Sequence, residues 1–145
     1  MANTNTQSNN VGTLMRLSDT GLTVADPAED VRGLKLLDRN GEEIGTVDDL
    51  LVDDTENRVR FLRIAHGGFL GIGEEHFLVP VDAITRIDSE HVHIDRERSK
   101  LSDAPGYSPD LAEAPDYYPG VYGWWGYSPY WSGGYTYPGY PVYPR

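Results

Sequence analysis

Across residues 31–95 no run of ten or more positions repeats its apolar residues at helical spacing, and short apolar stretches alternate with polar turns instead. A chain with that rhythm has no long amphipathic helix to pack, so its core must come from short strands. The first strand, residues 33–38, ends in Asp38-Arg39-Asn40-Gly41, where Asn40 and Gly41 are suited to the positive φ angles of a tight hairpin turn. A second strand covers about residues 43–53 and closes in the polar turn 53–57, and a third spans 58–66. In the third, Val59 and Phe61 share one face while Leu62 and Ile64 share the other. This slip of phase predicts a bulge or sharp coil. Residues 77–79 form a short buried strand stopped by Pro80, residues 81–87 hold a helical turn or a further strand, and 90–95 make a last strand with Val92 and Ile94 inward. Glycines at 45, 67, 68, 71 and 73 are expected at corners where the sheet curls. The predicted fold is mainly β: a small closed antiparallel barrel over residues 15–98.

At 145 residues there is room for one small domain and one modest core. The net charge of −11 is uneven, because residues 1–116 hold 11 basic and 23 acidic side chains, a balance of −12. Such a domain repels phosphate backbones, so nucleic acid is an unfavourable partner. The chain has no cysteine, which removes disulfides, thiolate metal sites and Cys nucleophiles. Residues 1–10 are polar, residues 1–14 are expected to be a disordered N-terminus, and an apolar patch of Val11, Leu14, Met15 and Leu17 is a candidate to dock on the domain. No signal-peptide pattern and no apolar run of about 20 residues is present, so a cytoplasmic protein is expected.

Several of these segments resemble one family. Asp30-Val31-Arg32-Gly33, the stretch 40–53, Val59-Arg60-Phe61-Leu62 and Phe77-Leu78-Val79-Pro80 closely resemble the PRC-barrel, the fold of the cytoplasmic domain of the photosynthetic reaction-centre H subunit and of the carboxy-terminal domain of the ribosome-maturation factor. The glycine-rich stretch 67–73 and Leu101-Ser102-Asp103-Ala104-Pro105-Gly106 look like elements of stand-alone bacterial members. The resemblance covers about residues 15–106 and implies a non-catalytic module that docks onto another protein. These motifs are structural and leave the partner open. The chain lacks the membrane helix of the H subunit and the preceding barrel of the maturation factor, so neither role is expected of it.

Candidate chemistry is sparse. Gly68, Gly71 and Gly73 are wrongly spaced for a phosphate loop and are followed by Glu74 and Glu75, which would repel an anion. Asp48, Asp49, Asp53, Asp54 and Glu56 could offer oxygens to a divalent cation, yet lack the EF-hand pattern, and read more simply as a solvated strand edge that discourages edge-to-edge pairing. His91, His93 and Asp95, two apart on a strand, would project to one side and form a weak candidate metal site. The alternative is a pair of surface histidines that gain charge near pH 6–7. No nucleophile constellation is present, so neither an enzyme nor a cofactor is expected.

Residues 99–116 contain Pro105, Pro109 and Pro115 and read as a semi-extended linker. Residues 117–145 then hold nine Tyr, three Trp, six Gly and five Pro with no acidic residue. This composition predicts a disordered or extended low-complexity tail without helix. Its rings suit weak multivalent self-association, contact with a flat apolar, sugar or membrane surface, stacking on single-stranded nucleic acid, folding back over its own barrel, or no defined role. The preferred reading is a non-enzymatic adaptor, expected to be a homo-oligomer, whose tail self-associates. Membrane contact through the tail is disfavoured because the tail has no lysine. The competing classes are a membrane- or photosystem-associated regulator and a ribosome- or RNA-linked factor. Candidate contact residues are Arg58, Arg60, Arg63 and Phe69 on the barrel, and Tyr118, Tyr122, Trp124, Trp125, Tyr127, Tyr130, Trp131 and Tyr135 on the tail.

Overall fold

The computed structural model describes residues 14–19, 30–67 and 75–138. Strands are β1 (Leu14–Arg16), β2 (Lys35–Leu37), β3 (Glu43–Asp53), β4 (Val59–His66), β5 (Glu75–Pro80), β6 (Ile84–Ile87) and β7 (His91–Ile94). Short 3-10 turns at Leu17–Asp19, Val81–Ala83 and Arg98–Lys100 join them, and two helices follow, α1 (Pro109–Ala112) and α2 (Tyr117–Trp125). The strand order is β5-β4-β3-β2-β7-β6, with β1 also on β3. The long β3 serves three neighbours: one edge pairs with β2 through Glu43–Thr46 and with β1 through Leu51–Asp53, and the other pairs with β4. The apolar patch at residues 14–17 therefore does dock, with Leu17 buried, while Val11 lies outside the described residues.

The barrel expectation needs two corrections. The β2–β7 ladder is parallel, pairing Leu36 with Val92, so the sheet is mixed. Among the described residues no backbone ladder joins β5 to β6, so hydrogen bonds do not close the ring.

The phase slip in β4 has a local cause. Leu51 pairs with Phe61 and Val52 with Val59, so Arg60 is the extra residue of a bulge, and a second irregularity between Val47 and Asp49 skips Asp48. Both faces of β4 are covered, with Arg60, Phe61 and Leu62 consecutively buried. A strand buried on both sides loses the alternation that sequence patterning relies on.

The first turn also differs from expectation. Gly41 takes φ +86° but Asn40 does not enter the positive region. The turn is held instead by Asp38, whose carboxylate accepts from the amides of Asn40 and Glu42 at 2.8 Å each and from Arg98 at 2.7 Å, tying the hairpin to the segment after β7.

Gly45 is not a corner. It lies in the β3 ladder opposite Leu36, where a Cβ would stand 2.4 Å from the carbonyl oxygen of Ala65 on β4. Gly45→Ala must push two paired strands apart, and is expected to lower unfolding stability by roughly 1–3 kcal/mol in urea denaturation.

Candidate docking face and its aromatic strap

From residue 117 to 138 the aromatic tail is neither extended throughout nor detached. Helix α2 buries Tyr118, Val121, Tyr122 and Trp125, spaced i, i+3, i+4 and i+7, while Gly120 and Gly123 face solvent. Pro119 sits in the first turn, where a missing N–H breaks no intrahelical bond. Gly126 ends the helix at φ +83°, and its amide and that of Tyr127 both bond to the Tyr122 carbonyl. Composition predicted no helix because it averages over Gly and Pro. The spacing of the four buried residues was the available signal, and nine residues so placed gain their stability from packing.

The surface under α2 is the Phe61 face of β4 and the neighbouring β5. The Phe61 ring lies 4.9 Å from the Tyr122 ring and 5.7 Å from that of Tyr118. Trp125 is fully buried, and its indole N–H donates to the Leu78 carbonyl on β5 at 3.1 Å. This strap continues beyond the helix. Arg96 donates to the Trp125 carbonyl and lies 4.9 Å from the indole centroid. The Tyr127 hydroxyl donates to Asp95, that of Tyr135 to Asp82 at 2.9 Å, and that of Tyr137 to the Val59 carbonyl at 3.1 Å. Trp131 packs edge-on against Tyr122, with ring centroids 5.6 Å apart.

Arg60 is the hub of this contact. Sequence placed it on an exposed strand, whereas its side chain is 4% exposed and its guanidinium donates to Asp53 at 2.7 Å and to Glu56 at 2.7 Å. The bulge and the aromatic roof explain the difference, since the Tyr130 and Tyr137 rings lie 4.3 and 5.3 Å away. Arg63 is likewise mostly covered and paired with Asp48 at 2.8 Å. Arg58 remains exposed, 4.7 Å from the Tyr137 ring. Of the expected tail contacts, Tyr118, Tyr122 and Trp125 are buried, while Trp124, Tyr127, Tyr130, Trp131 and Tyr135 are partly open. Phe69 and the glycines at 68, 71 and 73 lie outside the described residues.

Of the acidic stretch, Asp54 and Glu56 are exposed as expected and Asp48 is half-buried, but the other two are not solvated. Asp49 is buried and accepts from the Ser18 hydroxyl at 2.6 Å and from the Leu50 amide. Asp53 is buried and caps the amides of Thr55 and Glu56 besides holding Arg60. These oxygens serve turns and ion pairs. Residues 99–116, expected to be semi-extended, hold the turn of α1, N-capped by Ser108, and a bridge from Gly106 to Phe77.

The histidine candidate is regrouped. Val92 and Ile94 are buried as expected, but Asp95 turns to the strap, and the carboxylate beside His91 and His93 belongs to Asp88 in the β6–β7 turn.

The PRC-barrel domain family matches residues 25–101. This chain belongs to that family. No curated protein matches it. The matched stretch of the PRC-barrel ends before α1, so the strap lies beyond the matched residues. Among the described residues no helix is long and apolar enough to cross a membrane.

Burial raises the pKa of each strap tyrosine. For Tyr127, burial first and then the Asp95 carboxylate push the phenol up to about 12, and burial takes Tyr137 to about 12. Burial likewise pushes up Tyr118, Tyr122, Tyr130 and Tyr135. A group whose folded pKa lies above its unfolded value near 10 contributes stability in full below that pH and loses it as pH rises through the folded pKa. Strap and core are therefore expected to come apart above about pH 10, with tyrosinate absorbance rising in step with loss of circular dichroism. Tyrosinate that appears with unchanged structure would show these rings to be solvated.

Proposed function

We propose that this PRC-barrel protein is a non-enzymatic docking module whose own aromatic strap occupies its docking face, and that copies associate by exchanging straps. The observation that carries the reading is the join itself. The strap meets the β4–β5 face and the segments beside it through one buried indole, a stacked buried arginine and three hydroxyl hydrogen bonds, to Val59, Asp82 and Asp95, and residues 99–116 connect the two. A segment bound so specifically in its own molecule fits the same face of a second copy without loss of contacts, which is the physical basis of swapped assembly. This short connection gives the internal strap an effective concentration of order millimolar or above, and its Gly106–Phe77 bridge must also open, so exchange requires dense or clustered chains. The specific role in the cell then follows from what brings the copies together.

The test uses the absence of native cysteine. Glu113→Cys, at an exposed position between the helices, accepts a donor dye in one full-length batch and an acceptor in another. Energy transfer that grows with concentration, reverses on dilution and is abolished by excess unlabelled chain supports exchange. Unchanged monomeric sedimentation and no transfer up to millimolar chain would overturn it.

A further inference from the structure

We propose that Asp88, His91 and His93 form a surface site for a divalent transition-metal ion, with zinc as the type case. All three lie within one hairpin, on β7 and in the turn that precedes it. The Asp88 carboxylate stands 2.9 Å from His93 Nε2 through Oδ2 and 3.3 Å from His91 Nδ1 through Oδ1, and all three ligand atoms lie within 4.8 Å of one another. A tetrahedral zinc site with bonds of about 2.0–2.2 Å sets its donors roughly 3.3–3.5 Å apart, so the edge from His93 Nε2 to Asp88 Oδ2 need only open slightly, and the His91 donor, within 4.8 Å of the others, closes by turning its imidazole ring.

The scaffold is already built. Val92 and Ile94 are buried on one side of β7, which fixes both histidines on the other. The Asp88 carboxylate is oriented by the amides of Glu90 and His91, at 2.9 and 2.8 Å, both donating to Oδ1, so Oδ2 is the oxygen that meets the ion once Arg86, 3.4 Å from it, moves away. Each of the three side chains is partly open, so an ion can enter and a water can take the fourth position.

The donor pattern points the same way. His93 Nε2 lies 2.9 Å from a carboxylate oxygen and 3.1 Å from the guanidinium of Arg86. A protonated Nε2 suits Asp88 and opposes the Arg86 donor. A bare Nε2 suits Arg86 and sets its lone pair against the carboxylate. Neither tautomer serves both neighbours. A cation placed among the three accepts the lone pairs of both imidazoles and the carboxylate charge together. Arg86, about half exposed, then swings into solvent.

Zinc sulfate titrated into the full chain by calorimetry is expected to bind one ion per chain. His93→Gln and His91→Gln should each weaken binding roughly tenfold or more. His66→Gln, on β4 beside Glu75, should leave it unchanged. Arg86→Gln should leave affinity equal or higher, because it removes a competing cation, whereas a zinc site elsewhere on this acidic surface would be indifferent to the His91, His93 and Arg86 changes. Circular dichroism of each variant separates loss of ligand from loss of fold. No binding to the wild-type chain, equal binding by the folded His91 and His93 variants, or weaker binding by the Arg86 variant would each overturn the site.

Discussion

Trp125→Ala is expected to lower the stability of the whole protein by about 3–5 kcal/mol, the range for removing a fully buried aromatic side chain. The indole has no solvent exposure, and its loss also strips the Leu78 carbonyl of its donor in a dry setting. Against a typical domain stability of 5–15 kcal/mol this is a large fraction. The strap's buried rings belong to one continuous cluster with the β4 and β5 core, so the effect should reach the barrel instead of merely freeing the tail. Urea unfolding followed by circular dichroism and by fluorescence of the remaining tryptophans should give one coincident transition, shifted to lower denaturant. Two separate transitions would mean that strap and barrel are energetically independent. Trp125→Phe keeps most of the volume and loses the hydrogen bond, so its cost should be nearer 1 kcal/mol.

Arg60→Met should cost a similar 3–5 kcal/mol, for a different reason. Methionine keeps the aliphatic stem under the Tyr130 ring, but leaves the Asp53 carboxylate, 1% exposed, without its cation. Asp53 retains the amides of Thr55 and Glu56, which tempers the loss. Restoring balance by the double change Asp53→Asn with Arg60→Met should recover part of the stability, a coupling that a double-mutant cycle in urea measures directly. Equal and additive losses would show that the pair contributes through packing alone. An Arg60→Glu change, attractive if the residue faced a partner, instead buries two carboxylates against each other and is expected to unfold the barrel.

Strand existence was legible because short apolar runs and polar turns are local signals: β3 runs over the residues expected, and Val92 and Ile94 face inward. The parallel β2–β7 ladder was not, since nothing local distinguishes the direction of a neighbour more than fifty residues away. The arginines were misplaced for a related reason. A charged side chain on a strand reads as solvent-facing until the bulge that turns it and the roof that covers it are known, and both are tertiary. In the tail, composition and periodicity disagreed. Gly and Pro argued against order, while the positions of Tyr118, Val121, Tyr122 and Trp125 encoded an amphipathic turn whose Gly126 supplies the stop. The histidine pair was visible as alternation, but its carboxylate came from the turn before the strand, because the Asp88 side chain caps the amides of that turn and so is brought beside the rings.

The reach from Leu78 to Trp125 also imposes a timetable on synthesis. The two are 47 residues apart, so at 5–20 residues per second the β5 strand waits roughly 2–9 s on the ribosome before the indole that completes it is made. During that interval a nascent chain carries Phe61 without the Tyr118 and Tyr122 rings that cover it, and finished straps are present only on chains further ahead on the message. Crowded translation, or a chaperone that shields the β4–β5 face until α2 emerges, would then decide whether a newborn molecule leaves alone or already entangled with its sibling.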